Sequence, residues 1–457
     1  MLEAMRLSDL LKPLNASLEG GDASFDSVSI DARTVQAGGL FVALPGSRVD
    51  GHDFIAQARA RGATAALVER PVEDPLPQLV VHDCAYALGQ LGALNRAAFT
   101  GPLVAITGSS GKTTVKEMLA SILGECGRVL ATRGNLNNEL GVPLTLLELA
   151  PEHQYAVVEM GAAAKGDIAY SMRLAKPSVS VLTNAGTAHL GRFGSEQAIA
   201  EAKGEIFAGL ERDGQGVINL DSPWFESWYQ ALGERRKHVF STQNSTAELR
   251  AEGVTLDESG CPRFTLISPF GETVIQLQVA GAHNVANALA AAGAAQALSI
   301  SLDAIGRGLG KLQPMAGRGK RLAGENGAVI IDDSYNANPA SVRAAIDLLA
   351  SLPGQRLLVL GDMGELGATE EQAHAQIGAY AKAQGLDGLY VTGRLSALAA
   401  AEFGEGGQVF ADRAALSAAL RTRLDPQTRV LVKGSRSAGM EEVVAALVAG
   451  SQIREEG

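Results

Sequence analysis

The stretch LVAITGSSGKTT, residues 103–114, constrains this chain more than any other segment. A short apolar run, residues 103–106, enters the turn Thr107-Gly108-Ser109-Ser110-Gly111-Lys112-Thr113-Thr114. Beyond the turn, Val115, Met118, Leu119, Ile122 and Leu123 recur at the spacing of one helix face. Strand, glycine turn and helix in that order predict a phosphate-binding loop. The glycines let successive N–H groups converge on one oxygen cluster, and the helix start adds partial positive charge. Lys112 would supply a full charge to the β- and γ-phosphates of a nucleotide, and the Thr113 hydroxyl suits the oxygen shell of Mg2+. The common GxxxxGK[ST] spacing is not kept: Ile106 stands where its first glycine would be, and Gly108 gives a shorter GxxGKT form. A chain with this segment is expected to use ATP.

At 457 residues there is room for about three domains, and the expected fold class is α/β. Residues 1–98 combine strand candidates at 39–44 and 65–68 with a helix at 54–61, predicting a small N-terminal α/β domain. Gly101-Pro102 punctuates the chain just before the phosphate loop. Residues 99–313 alternate strands and helices, with further strands at 155–158, 179–182 and 216–220. That alternation implies right-handed βαβ units and a mainly parallel sheet. Residues 315–321, rich in Gly, Arg and Lys, read as a linker. The pattern restarts in residues 314–457, with buried strands at 328–331, 357–360, 388–392 and 429–432, predicting a Rossmann-like C-terminal domain.

A net charge of -11 argues against a nucleic-acid partner, which needs a basic surface. No apolar run reaches the length of about 18 residues needed to span a bilayer, so no membrane insertion is expected. The opening MLEAMRLSDLLKPL carries acidic residues and lacks the apolar core of a secretory signal. The 3 cysteines, Cys84, Cys126 and Cys261, lie far apart without a CxxC pair. That usage fits neither a disulfide framework nor a zinc cluster, and points to the cytoplasm.

Polar groups gather where the predicted strands end, the ligand-facing edge of a parallel sheet. Glu159 follows the run Ala156-Val157-Val158 and could coordinate Mg2+. Asn184 ends another strand, and His189 follows among small residues, a candidate for a metal or phosphate role. Asn284 and Asn287 share one face of an Ala-rich helix, where two amides can read the edge of adenine or serve only as capping and packing groups. The segment DDSYNANP, residues 332–339, places Asp333, Ser334, Asn336 and Asn338 after a buried strand, either as a site or as an Asx-rich helix entry. Lys203 falls at an expected helix start, where the pattern alone reads it as a surface lysine.

Taken together, these motifs resemble the Mur ligase family, ATP-dependent amide-forming enzymes of peptidoglycan precursor synthesis, whose relatives include folylpolyglutamate synthases. The resemblance covers essentially the whole chain, and the TGxxGKT loop is a mark of that family. The loop GNLNNELGVP, residues 134–143, together with DSYNANP, looks like the members that add D-alanyl-D-alanine to UDP-N-acetylmuramoyl-tripeptide; a DNPR motif, expected of the diaminopimelate- and lysine-adding members, is absent. The resemblance implies that Lys112 and Thr113 hold the ATP phosphates and Mg2+, that Glu159 and His189 are magnesium ligands, and that Lys203 reacts with CO2 to give a carbamate. It implies adenine contacts from Asn284 and Asn287, and further nucleotide contacts from Arg318 and Asp333. Substrate contacts are implied for Asn135, Asn137, Asn138, Ser334, Asn336 and Asn338. In the first domain, Ser29, Asp31 and Arg33 resemble a uridine-nucleotide motif, with Ala32 where many relatives carry Ser. A monomer acting on small molecules is expected. The competing readings are another amino-acid ligase of the same superfamily and a non-enzymatic nucleotide switch.

Overall fold

In the computed structural model, which describes residues 1–186 and 190–450, the first apolar run becomes the strand Leu103–Thr107 inside a nine-stranded sheet. Alternate residues of that strand face opposite sides, so both faces must be covered. Val104 and Ile106 pack with the stripe Val115, Met118, Leu119, Ile122 and Leu123, while Leu103 and Ala105 pack with Met172, Phe207 and Trp228. The predicted helix is Lys112–Leu123. Parallel neighbours of the central strand are Tyr155–Glu159 and Val179–Leu182, and the parallel run continues through Gln215–Asn219 and Arg236–Ser241. All predicted strands of this region form within a residue or two of their expected bounds. A helix of small residues, His283–Ala297, lies almost wholly buried on the sheet.

Three strands at one edge were not anticipated from the sequence. Leu249–Leu256, Pro262–Ser268 and Gly271–Gln276 extend the parallel sheet, the last two pairs antiparallel. Their signal was the alternation of buried and open positions along Pro262–Ser268, which suits a sheet with one solvated face.

The first 100 residues carry a five-stranded sheet in which Val28–Ser29, Leu40–Val42, Ala65–Val68 and Gln78–Val80 run parallel and Ser17–Glu19 closes the edge antiparallel. The helix Cys84–Ala98 leads out of this unit, and Leu88 and Leu91 bury on the same core as Leu147. The C-terminal sheet has six strands, five of them parallel: Val329–Asp333, Thr428–Lys433, Gln355–Gly361, Gly388–Thr392 and Gly407–Phe410.

The linker expected at 315–321 ends sooner, since 316–319 form a turn and the last two residues do not belong to it. Lys320 and Arg321 begin the edge strand Lys320–Ala323, paired antiparallel with Val329–Asp333. Gly317 N–H also donates to the Asp332 carboxylate at 2.7 Å and Gly319 N–H to the Asp332 carbonyl at 2.8 Å, so the segment finds partners in the C-terminal sheet instead of water. Among the described residues, no helix is long and apolar enough to cross a membrane.

One buried titratable group in the central sheet makes stability pH-dependent. His238 is 3% exposed, its Nε2 2.9 Å from Gln215 Oε1, and burial followed by the charge of Arg236 pushes its pKa down to about 4. Between the ordinary value of 6.5 and about 4, the unfolded chain binds the extra proton, so stability falls as pH falls through that window. Urea unfolding midpoints at pH 7 and pH 5 should therefore differ, and His238→Gln should narrow the difference; an unchanged difference would remove His238 as its source.

Candidate functional site

The phosphate loop is shaped by what presses against it. Gly108 (φ +154°) has no room for a side chain, since a Cβ there would lie 1.9 Å from Thr183 Oγ1. At Gly111 (φ +81°) a Cβ would lie 2.4 Å from Asn287 Oδ1. The outer turn is fastened to the neighbouring strand end: Ser109 N–H donates to the Asn184 carbonyl at 2.9 Å, and Ser110 N–H to Asn184 Oδ1 at 3.0 Å. Thr107, fully buried, donates its hydroxyl to the Met160 carbonyl at 2.7 Å. The helix then opens at Lys112, so the amides of its first turn have no intrahelical acceptor. Lys112, Thr113 and Thr114 line a cavity of about 690 Å³ between the central and C-terminal units. Lys112 Nζ rests on the Gly108 carbonyl at 2.8 Å, and burial lowers its pKa, against the pull of Glu159.

Glu159 stands at the end of its strand, as expected, and is 2% exposed. Its two oxygens accept from Thr113 Oγ1 and Asn137 Nδ2, each at 2.8 Å. Both donors are neutral, and no ion pair reaches the carboxylate among the described residues. The hydroxyl and carboxylate oxygens are donors of the kind that Mg2+ takes. Among the described residues, no group of three His, Cys, Asp or Glu side chains could hold a metal. His189 lies outside the described residues.

Lys203 corrects the sequence reading twice. It sits inside the helix Glu196–Ala208, not at its start, and it is 2% exposed. The cause is register: Lys203 falls on the face that also buries Ile199, Ala200 and Phe207. It lines the cavity without a hydrogen-bond or ion-pair partner among the described residues. Burial, then repulsion from Lys112, push its pKa down to about 7.

Asn284 and Asn287 bond to each other, Asn287 Nδ2 donating to Asn284 Oδ1 at 2.8 Å, while Asn284 Nδ2 donates to the Ala280 carbonyl at 2.7 Å. Both line the cavity, and Asn287 also seats the loop glycine. From the C-terminal unit, Arg318 stacks over the Tyr335 ring with 4.1 Å to its centroid. Asp333 pairs with Lys433 at 2.5 Å, and Lys433 also donates to the Asn336 carbonyl at 2.9 Å. Asn338 caps the helix Pro339–Ser351 and donates to Ser110 Oγ at 3.3 Å, joining the C-terminal unit to the phosphate loop. A second tether joins the units where Gly191 N–H donates to the Glu365 carbonyl at 3.0 Å and Arg192 pairs with the Glu365 carboxylate at 2.7 Å.

Several expected contacts lie elsewhere. Ser334 is 2% exposed and spends its hydroxyl on Asp332 Oδ1 at 2.6 Å, outside the cavity lining. Asn135, Asn137 and Asn138 line the large cavity; Asn138 Oδ1 accepts from Gly141 N–H at 2.9 Å. Ser29 lines a separate hollow of about 420 Å³ together with Thr34, Gln36, Arg133 and Glu148. Asp31 and Arg33 pair with each other beside it at 2.8 Å, and that guanidinium holds the Asp31 carboxyl down to about 2. Sequence reasoning missed Lys433, although a lysine closing a buried parallel strand was a usable signal. It also missed Arg133, Glu148 and Arg436, whose charges carry no pattern until the units meet.

This arrangement defines a phosphate-loop α/β enzyme with one nucleotide-sized cleft shared by two units and a second hollow near its N-terminal sheet. Comparison with known proteins agrees. The Mur ligase middle domain pattern matches residues 106–295, the Mur ligase glutamate ligase domain residues 317–436, and the Mur ligase family catalytic domain residues 24–94. UDP-N-acetylmuramoyl-tripeptide–D-alanyl-D-alanine ligase of Escherichia coli K12 is 45% identical over 97% of this chain and 98% of its own length. A crystal structure of MurF from Acinetobacter baumannii superposes with a TM-score of 0.92 at 37% identity, covering 97% of this chain and 98% of that one. MurF from Thermotoga maritima in complex with ADP gives a TM-score of 0.81 at 30% identity, over 92% and 96% of the two chains. The chain belongs to the Mur ligase family.

Proposed function

We propose that this chain joins D-alanyl-D-alanine to UDP-N-acetylmuramoyl-tripeptide, with ATP converted to ADP and phosphate. The observation that carries the reading is one cavity in which the phosphate loop, the buried Glu159 and Lys203, and the C-terminal residues Arg318, Asn336 and Asn338 converge. Relatives bearing that activity in their names align along nearly the whole chain. The three units act as a UDP-substrate domain (1–98), an ATP domain (99–313) and a C-terminal domain (314–457). The enzyme works as a cytoplasmic monomer.

The reaction has two steps. The terminal carboxylate of the tripeptide attacks the γ-phosphorus of ATP, forming an acyl phosphate and releasing ADP. The free amine of D-alanyl-D-alanine then attacks the acyl carbon, and phosphate leaves as the amine loses a proton. The obstacle is electrostatic, because one anion must approach another. Lys112 and the first-turn amides of its helix neutralise the phosphoryl oxygens as charge shifts. Thr113, Glu159 and His189 would hold Mg2+, with Lys203 joining as a carbamate, and the ion would withdraw charge from the phosphates. Lys203 suits carbamate formation because CO2 adds only to a neutral amine, and its pKa is brought to about 7. Asn284, Asn287, Arg318 and Asp333 hold the nucleotide, Ser29, Asp31 and Arg33 the uridine end. Asn135, Asn137, Asn138, Asn336 and Asn338 face the peptide substrates; Ser334 acts through Asp332. The tethers between the two units keep water from the acyl phosphate.

Phosphate release tests the reading. It should require ATP, the UDP-tripeptide and D-alanyl-D-alanine together, and should fall to background when single amino acids replace the dipeptide. Equal release with a single amino acid would favour another ligase of the superfamily. Release with ATP alone would favour a nucleotide switch.

A further inference from the structure

Two buried residues outside the cavity tie its parts together. Thr132 follows the strand Val129–Ala131 and is 1% exposed. Its N–H donates to the Val157 carbonyl at 3.0 Å, and its hydroxyl oxygen accepts the Glu159 N–H at 2.9 Å. Its carbonyl accepts from Lys116 Nζ at 2.5 Å. Lys116 stands on the phosphate-loop helix, one turn beyond Lys112 and Thr113, and is 2% exposed. Its ammonium also pairs with Glu117 at 2.7 Å. Burying an ammonium is unfavourable where a methionine of similar shape would pack among neighbours such as these. What the charge gains is the Glu117 pair and a fixed position for the Thr132 carbonyl.

That position governs the loop that follows. After Thr132 the chain turns through residues 133–140, and Asn137 returns to donate to Glu159 Oε1 at 2.8 Å while its carbonyl accepts Gly161 N–H at 2.7 Å. Thr132 therefore meets the phosphate-loop helix through its carbonyl, the Glu159 strand through its hydroxyl and N–H, and the Asn-rich loop through its own chain. Neither Thr132 nor Lys116 lines the cavity.

We propose that Lys116 and Thr132 are positioning residues that lock the Glu159 carboxylate and the Asn137 loop to the phosphate-loop helix, setting the affinity of the site for its divalent cation. The inference rests on the reading of Glu159 as a metal-binding carboxylate. Partners behind a metal ligand typically change metal affinity by about 10- to 100-fold when removed.

The test is binding of Mn2+ in the presence of ADP, followed by electron paramagnetic resonance of the whole chain without turnover. Thr132→Val keeps the side-chain shape and removes the acceptor for Glu159 N–H; it should weaken Mn2+ binding about tenfold, with ADP binding in the absence of metal unchanged. Thr132→Ser should restore the affinity. Lys116→Met should weaken Mn2+ binding in the same way and raise the KM for the UDP-tripeptide through the loosened loop. Should Lys116→Met fail to fold, the Thr132 pair decides alone. Wild-type Mn2+ affinity in a folded Thr132→Val protein would overturn the inference. No Mn2+ binding by the wild-type protein would overturn the metal reading of Glu159 and this inference with it, which keeps the two failures apart.

Discussion

Lys112→Ala is expected to lower kcat for amide formation by about 1000-fold, the scale of losing a principal charge donor to a transition state. That is about 4 kcal/mol on the barrier. The effect should fall on chemistry rather than on folding. Among the described residues the Lys112 side chain makes one bond, to the Gly108 carbonyl, and the loop is held independently where Thr183 Oγ1 donates to the Ser110 carbonyl at 2.7 Å. The helix keeps its stripe of Val115, Met118, Leu119 and Ile122 on the sheet, so the melting temperature should barely move. Burial lowers the Lys112 pKa, and the Glu159 charge opposes it. Phosphates beside the ammonium would favour its charged form and oppose the effect of burial. Rapid-quench measurement of acyl phosphate locates the loss in the first step. Near-normal turnover by a folded Lys112→Ala protein would refute the loop's role.

Lys203→Ala should reduce kcat about 100-fold, and a short-chain carboxylate such as acetate or propionate should recover part of it. The substitution suits the site structurally: alanine favours the interior of the helix Glu196–Ala208, and removing a buried side chain opens space where the added carboxylate can sit. Its oxygens would then stand where the proposed carbamate would place its own. The wild-type enzyme supplies a second readout. Because the pKa of Lys203 is about 7, the neutral amine becomes the major form above that pH. Carbamate formation should rise with pH through 7, and bicarbonate should raise the activity of CO2-depleted enzyme while leaving Lys203→Ala unaffected. Full activity of Lys203→Ala without any added carboxylate would sink the carbamate reading.

The difference between Lys112 and Lys203 shows where legibility ends. Lys112 is part of a local motif, since strand, glycine turn and helix stripe occupy consecutive residues, and each can be read from its neighbours. Lys203 depends on which helix face turns inward, and that face is chosen by a sheet assembled from strands up to 100 residues away in sequence. Ser334 shows the same boundary from the other side. Its polar neighbours marked the segment as a site, yet its hydroxyl is turned to Asp332, which also receives Gly317 N–H. The edge strands Pro262–Ser268 and Gly271–Gln276 carried a readable alternation, but alternation alone does not say which sheet they join.

By itself, the sequence determined the α/β class, the phosphate loop, the strand ends that carry Glu159 and Asp333, and the family resemblance, because these follow from short-range periodicity and contiguous motifs. Tertiary structure alone decided that Lys203 is buried and, among the described residues, without a partner, that Asn287 lies against Gly111, that Lys433 meets Asp333, and that Asn338 reaches Ser110. Each of these joins residues far apart in the chain, and their energies exist only once the sheets have packed and water has left the space between them.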